Sequence, residues 1–547
     1  MDRNNNLRRL QDETFDLCII GGGASGAGCA LDAALRGLKV ALIEKNDFAA
    51  ETSSKSTKLI HGGVRYLEQA FKKFDFAQIK QVRHGLEERH ILLQNAPHLA
   101  RPVGLITPVF NWWEGLYYAI GLTLYGWFAS GNDHLPKSRW LTKKEALTRV
   151  PGLSGSIHSA VLYYDGQFDD ARYCLALVRS AAEAGAVVVN HAEVIDFEKD
   201  DNGKINAVVF KDTLPNDHPV GKVSAKLFLN CTGPFSDKIR SQANAALEAR
   251  LRPSKGIHVV LPKTVLGSDD ALLIPKTKDG RIIFAIPFEQ QLLLGTTDTA
   301  SPDSDTEPFP EAEEIDFLLE TLQPYIRPRI DRQQVKSGFG GYRPLIQASD
   351  RQTKSLLRDH EVEHDADSNL ISLLGGKWTT YRLMAKDAVD FVCSLLGFYV
   401  SSTTGIHLLT GAEGYQADFW KKIQSDYGLE PDISQHLAHK YGALASEVLQ
   451  MSKKRPQLTE RLLPGYPFLK AEIVYAVQKE MARTLRDFLA RRIRLEITDW
   501  QATEDAIPVV AEVMGEELGW TEELRRQEET VYRALLERIK KEANPNF

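Results

Sequence analysis

Cysteine is scarce in this 547-residue chain: Cys18, Cys29, Cys174, Cys231 and Cys393, none of them in a CxxC pair. Spread this widely, they make neither a zinc site nor a disulfide framework; they suit a reducing compartment and burial as small apolar side chains. Charge of one sign is not in excess either, since 67 Lys+Arg against 73 Asp+Glu leave −6. A mildly acidic chain lacks the basic surface that nucleic acid requires, although it can hold a local basic pocket for a small anion. Repeats and low-complexity tracts are missing, and 43% hydrophobic with 26% charged residues excludes disorder as the main character. The polar start MDRNNNLRRLQDE has no apolar h-region, so no secretory signal is expected. A spanning helix needs about 20 strongly apolar residues. The nearest approach, residues 111–128, is broken by Gly115, Gly121 and Gly126. It reads as an aromatic-rich cap packed on the main body, with a Trp/Tyr segment lying in a membrane interface as the alternative.

What the chain does have is glycine in context. A short apolar run, residues 15–20, leads into Gly21-Gly22-Gly23-Ala24-Ser25-Gly26, then a helical stretch to about Leu35 with Gly37 beyond it, then a second apolar run ending in Glu44. Strand, glycine turn, helix, strand and acid describe a dinucleotide-binding βαβ unit. Gly21 permits the tight turn, Gly23 lets a pyrophosphate approach the backbone, and Gly26 lets helix pack on strand. The helix start offers N–H groups to phosphate, and Glu44 can accept from ribose hydroxyls while repelling the 2′-phosphate of NADP. Two further segments favour FAD over NAD. Residues 51–67, ETSSKSTKLIHGGVRYL, crowd hydroxyls, a histidine and paired glycines into one loop, as suits a backbone pressed against a flavin ring. Residues 374–382, LGGKWTTYR, again join a strand to a helix start. Such an end stabilises the negative charge that a flavin develops on reduction.

Helices are expected over about 75–95 and 170–185, strands over 187–197, 204–211 and 224–230, and an antiparallel sheet over 252–298. A buried strand at 370–374 precedes a helix to about Leu396. After about 410 only helical patterns remain. Asp165, Asp169 and Asp170 read as caps of the following helix, and Thr296, Thr297 and Asp298 as a turn. The densest basic run, Arg483, Arg486, Arg491, Arg492 and Arg494, reads as a solvated face, with contact to anionic lipid as the alternative.

Several strings, in order, resemble the FAD-dependent glycerol-3-phosphate dehydrogenases of the D-amino-acid-oxidase-like flavoprotein superfamily: GGGASGAG at 21–28, TSSKSTKLIHGGVRYLE at 52–68, YYDGQFDDAR at 163–172, NCTGPFSD at 230–237, KGIHVVLP at 255–262, LLGTTDT at 293–299, GYRPL at 341–345, GGKWTTYR at 375–382 and RTLRDFLARRIRL at 483–495. The resemblance implies an α/β fold, with a Rossmann-like FAD-binding domain, an antiparallel-sheet substrate domain and a C-terminal all-α domain. FAD parts are expected at about 12–75, 155–250 and 335–400, substrate or cap parts at about 76–154 and 251–334, and the helical domain at 401–547. It implies oxidation of sn-glycerol 3-phosphate to dihydroxyacetone phosphate, with hydride passing from C2 to flavin N5 and electrons onward to membrane quinone. Oxygen as acceptor, giving hydrogen peroxide, and a non-catalytic flavin-binding protein are the alternatives.

The same resemblance places substrate contacts at Arg65, Tyr66, Arg343, Arg358 and Lys377, where guanidinium forks and an ammonium suit a phosphate dianion. His258 and His61 are the candidate proton acceptors, with Arg343 stabilising the reacting oxygen. Cofactor contacts are expected at Gly21, Gly23, Ala24, Ser25, Gly26, Glu44, Lys45, Thr52, Ser53, Ser54, Ser56, Thr57, Leu59, His61, Gly62, Gly63, Val194, Thr232, Gly233, Gly376, Lys377, Trp378, Thr379 and Thr380. No metal and no nucleic-acid partner are expected; a homodimer is. With no transit peptide before the first strand and no EF-hand loop in the tail, a bacterial-type chain is expected, or a eukaryotic one stripped of those parts. Its expected place is the cytoplasm, against the cytoplasmic face of the inner membrane.

Overall fold

The computed structural model describes residues 1–62, 76–115, 121, 135–214, 220–275, 277, 280–301, 306–347 and 360–544, with the backbone alone for 76–81. The first apolar run becomes strand Thr14–Ile20, flanked in parallel by Val40–Ile43 on one side and Val220–Asn230 on the other. Val187–Val189 and Leu370–Gly375 extend the parallel set. Antiparallel strands His360–Asp365, Ile205–Asp212 and Ala192–Lys199 complete an eight-stranded sheet. Parallel strands need both faces covered, and the small residues of helix Ala24–Leu35 allow a close fit on one of them: a Cβ at Gly28 would lie 2.9 Å from the Tyr381 ring. Helices Asp170–Glu183 and Tyr381–Leu396 share that core.

Among the described residues the second sheet has ten strands and is antiparallel except where Ala271–Ile274 runs parallel to Ala100–Val109. Next to one edge, strand Ser254–Pro262 pairs with Gln291–Gly295 on one side and Ser337–Arg343 on the other. The expected antiparallel sheet over 252–298 is thus found. Every strand named in the structure lies before Phe419, and helices Phe419–Tyr427 through Glu522–Ala543 follow. These helices do not form a separate core. Leu437, Tyr475, Ile507 and Leu536 belong to the same buried cluster as Ile257, Leu272 and Leu294 of the second sheet.

Three features differ from the sequence reading. The polar N-terminus is a helix, Arg3–Asp12, capped by the Asp2 side chain. It docks through Arg3, which is buried and donates to both oxygens of Asp212. The run 187–197 is two strands, because His191 at φ +53° breaks it. The basic run at 483–494 is neither solvated nor turned to lipid. Arg491, Arg492 and Arg494 are buried. Arg491 and Arg492 both donate to Asp47, Arg492 also meets Glu480, Arg494 meets Asp170, and Arg486 donates to Glu307 and Glu496. Cations that lose water must find carboxylates, and these find theirs on loops and helices far apart in the chain.

Candidate active site

Strand Thr14–Ile20 ends on Gly21, whose φ of +108° is a conformation that side chains rarely adopt. A Cβ there would stand 2.7 Å from the Cys231 carbonyl oxygen, and one on Gly26 would stand 1.8 Å from the Gly21 carbonyl oxygen. The turn closes only because both lack one. Gly23 caps the helix without a side-chain hydrogen bond, which leaves first-turn N–H groups for an anion. Glu44 accepts from the backbone N–H of Gly22 at 2.6 Å and of Asn46 at 2.8 Å. Burial pushes its carboxyl above the usual range, and each oxygen keeps a further lone pair.

A cavity of about 360 Å³ opens over this turn. Gly21, Gly23, Ala24, Ser25, Glu44, Lys45, Thr52, Ser53, Val194, Thr232, Gly233, Gly376, Lys377 and Trp378 all line it. Fourteen expected cofactor contacts, from six separate stretches of chain, therefore face one space. Ser53 ties the ends together: its hydroxyl accepts the Ala24 N–H at 2.9 Å, and its carbonyl accepts the Trp378 indole N–H at 2.9 Å. Gly375 and Gly376, with φ of +72° and +89°, turn the far end. The bare backbone at both glycine turns and the long space between them fit an extended dinucleotide such as FAD. The sequence reading missed Asn46, Phe235, Lys238 and Pro344, which also line the cavity; Asn46, two residues past Glu44, is the one with a local signal.

The other expected contacts sit behind this lining. Gly26 packs against Gly21. Ser54 and Ser56 face away, into a buried ion network. The Ser54 carbonyl accepts from Lys58 and Arg494, and the Ser56 N–H donates to Asp170. Leu59 pairs with Gln167 in the second sheet. The His61 N–H donates to the Thr379 hydroxyl at 3.3 Å, which joins the two glycine-rich segments, and Thr380 caps back onto the Lys377 carbonyl. Gly62 lies under helix Phe76–Asn95, where a Cβ on Gly85 would come within 3.0 Å of it. Gly63, Arg65, Tyr66 and Arg358 lie outside the described residues.

His258 is buried in strand Ser254–Pro262, stacked on Phe339 with ring centroids 4.9 Å apart. Its Nε2 meets the Thr57 hydroxyl at 3.0 Å, and Nδ1 has no hydrogen-bond partner among the described residues. Burial first, then Lys58 and Arg343, holds this imidazole well below its ordinary pKa. His61 is pushed down to about 4 by burial, Lys377 and Arg89. Both rings are neutral at pH 7. Arg343 ends strand Ser337–Arg343. Its fork meets Asp298 at 3.1 Å, the Thr297 carbonyl at 2.9 Å and the Thr296 hydroxyl at 3.2 Å. The expected turn at 296–298 thus also orients a guanidinium. The Tyr342 carbonyl, one residue before it, accepts from the Thr52 hydroxyl at 2.8 Å, and Pro344, one residue after it, lines the cavity. Burial lowers its pKa from the ordinary guanidinium range, with Asp298 opposing. It remains a cation, suited to stabilising charge rather than accepting a proton. Asp169 caps helix Asp170–Glu183 as expected, whereas Asp165 pairs with buried Arg89.

Residues 16–388 match the FAD dependent oxidoreductase family, and residues 401–525 match the C-terminal domain of alpha-glycerophosphate oxidase. The mitochondrial glycerol-3-phosphate dehydrogenase of Rattus norvegicus is 40% identical over 543 residues, covering 96% of this chain and 74% of that protein. A probable mitochondrial glycerol-3-phosphate dehydrogenase of Caenorhabditis elegans is 42% identical over 521 residues, covering 93% and 71%. Among solved structures, the glycerol-3-phosphate dehydrogenase from Bacillus halodurans complexed with FAD aligns with a TM-score of 0.80 at 30% identity, over 100% of this chain and 98% of that one. The L-alpha-glycerophosphate oxidase from Mycoplasma pneumoniae, at 18% identity and a TM-score of 0.54 over 73% of this chain and 99% of that one, shares the fold. The chain belongs to the glycerol-3-phosphate dehydrogenase family of FAD-dependent oxidoreductases.

Proposed function

We propose that this chain oxidises sn-glycerol 3-phosphate at C2 to dihydroxyacetone phosphate and delivers the electrons to membrane quinone. The observation that carries the reading is the one cavity joining the Gly21 turn to Gly376, with Pro344, next to Arg343, in its lining. FAD bound there supplies the hydride acceptor. Gly21, Gly23 and the uncapped helix start hold its pyrophosphate, Glu44 its ribose, and the 52–62 loop with Gly376 and Trp378 its ring. Arg343 and Lys377, with Arg65, Tyr66 and Arg358 carried over from the family, seat the phosphate dianion and the reacting oxygen. His258 accepts the hydroxyl proton, for which it must be neutral. His61 orients the loop through Thr379. The division of the chain near residue 400 into an FAD and substrate part and a helical part belongs to this reading, as does a homodimer.

Contact with the membrane is assigned to residues 110–113 rather than to the basic run. Trp112 and Trp113 are 52% and 74% exposed, and Phe110 is 41% exposed beside them. Aromatic side chains favour the interfacial layer. Among the described residues no helix is long and apolar enough to cross a membrane. The test is conversion of glycerol 3-phosphate by FAD-loaded protein with a short-chain quinone under nitrogen. Dihydroxyacetone phosphate equal to quinol formed supports the reading; no product contradicts it. Oxygen as acceptor is a second reading, favoured by the match of residues 401–525 to an oxidase domain. Peroxide equal to product in air, with no quinone reduced under nitrogen, would select it.

A further inference from the structure

We propose that Lys58 is a positioning residue for His258, held in place from the C-terminal helices by Arg494 through Asp170; this rests on the reading of His258 as proton acceptor. Lys58 takes a left-handed backbone, φ +60°, unusual for a side chain of its length. Its side chain is fully buried and folds back over its own loop. The ammonium donates to the Ser54 carbonyl at 2.8 Å, the Ser56 carbonyl at 3.1 Å and Asp170 at 2.7 Å. It also stands 4.7 Å from the Phe339 ring centroid, and Phe339 is the ring stacked on His258. Thr57, one residue before Lys58, holds His258 Nε2 at 3.0 Å. One buried cation therefore fixes both neighbours of the imidazole.

The hold on Lys58 comes from far along the chain. Asp170 splits its carboxylate between Lys58 and Arg494, which it accepts at 2.9 Å. Arg494 is fully buried and donates a second bond, 2.7 Å, to the same Ser54 carbonyl. Asp169 lies 3.3 Å from Arg494 Nε and accepts from Lys440 at 2.5 Å, and Lys440 also meets Glu289. The cluster holds three cations, Lys58, Lys440 and Arg494, and three anions, Asp169, Asp170 and Glu289. It can stay ionised in a dry interior. Among the described residues, the charged groups bearing on His258 are Lys58 from the loop and Arg343 from strand Ser337–Arg343. Removing Lys58 takes away one of these cations and leaves Asp170 closer to unbalanced, so the imidazole would protonate at higher pH.

The test uses full-length, FAD-loaded protein with ¹⁵N-labelled histidine, the His258 signal being assigned by its loss in His258→Asn. Wild type is compared with Lys58→Arg, Lys58→Met, Arg494→Lys and the double variant Lys58→Met/Asp170→Asn. The double variant removes the buried pair together, in case the single one does not fold. Anaerobic stopped flow with glycerol 3-phosphate gives the limiting rate of flavin reduction and the substrate Kd. In Lys58→Met or the double variant, His258 should titrate about one pH unit higher or more than in wild type, and the limiting rate should fall about ten-fold or more. FAD content and Kd should stay within about two-fold. Lys58→Arg should restore the titration, and Arg494→Lys should slow reduction with FAD retained. An unmoved titration and an unchanged rate in both Lys58→Met variants would overturn the proposal. So would equal losses of rate, affinity and FAD in Lys58→Arg and Lys58→Met, which is what a mere brace gives. An unchanged rate in Arg494→Lys would overturn the part given to Arg494. If substrate leaves the wild-type flavin oxidised, the functional reading fails, while the imidazole titration still decides whether Lys58 governs His258.

Discussion

Gly256 carries only hydrogen because Arg343 lies where its methyl would be: a Cβ there would come within 2.5 Å of Nη2 and 2.8 Å of the Thr296 hydroxyl. Gly256→Ala is therefore expected to displace the guanidinium without touching the FAD cavity. Removing a preorganised cation from a developing charge costs about 10²–10³ in rate, so Arg343→Ala should lose that much turnover per bound FAD, and Gly256→Ala a smaller share. Release of FAD with unchanged turnover per flavin would contradict this. Buried histidines make a second prediction at this scale. Burial comes first in pushing His61 and His439 down to about 4 and His98 to about 3. Lys377 and Arg89 add to it at His61, Arg101 at His439 and Arg172 at His98. The folded chain keeps these rings neutral, while the unfolded chain protonates them near 6.5, so below 6.5 the unfolded state binds more protons. Their stabilising share is complete above pH 6.5 and is lost as pH falls toward 4. The thermal midpoint should decline across that window; a midpoint that rises on acidification would contradict the burial argument.

At the scale of elements, local geometry was legible and remote pairing was not. The turn at Gly21, Gly23 and Gly26 could be read from sequence because φ and close approach are decided within a few residues. The strand after Ser254 and the strand before Gly375 followed from short apolar runs. The arginines of 483–494 were misread because their partners stand hundreds of residues away. Asp47 is 445 positions from Arg492, and nothing near Arg492 announces it. Likewise Ser54 and Ser56 looked like cofactor donors, yet their backbones serve the Lys58–Asp170–Arg494 network. Arg492 sits in the short π-helical turn Asp487–Arg492 and donates to Asp47 and to the Glu480 carbonyl. Breaking one side of a buried pair costs about 3–5 kcal/mol, because the other charge is left without water. Arg492→Met should lose that much in denaturant unfolding, and adding Asp47→Asn should recover part of it. A surface-like loss below about 0.5 kcal/mol would restore the solvated-face reading.

At the scale of the whole molecule, the helical tail shares the core of the second sheet, and it reaches the loop beside the cavity through Arg494. The exposed aromatics at 110–113 follow the end of strand Ala100–Val109 and are not among the residues lining the cavity. Vesicle sedimentation should fall in Trp112→Ser/Trp113→Ser while flavin reduction by substrate stays as in wild type, and it should depend weakly on salt, since the basic run is buried. Strong salt dependence with no effect of the tryptophans would contradict this assignment. The account as a whole stands on substrate reaching a flavin seated between Gly21 and Gly376. The direct measurement is anaerobic titration of the FAD-loaded protein with sn-glycerol 3-phosphate. The yellow band should bleach to an end point set by the flavin present, with dihydroxyacetone phosphate formed in equal amount; a band that dithionite bleaches and glycerol 3-phosphate leaves untouched would contradict it.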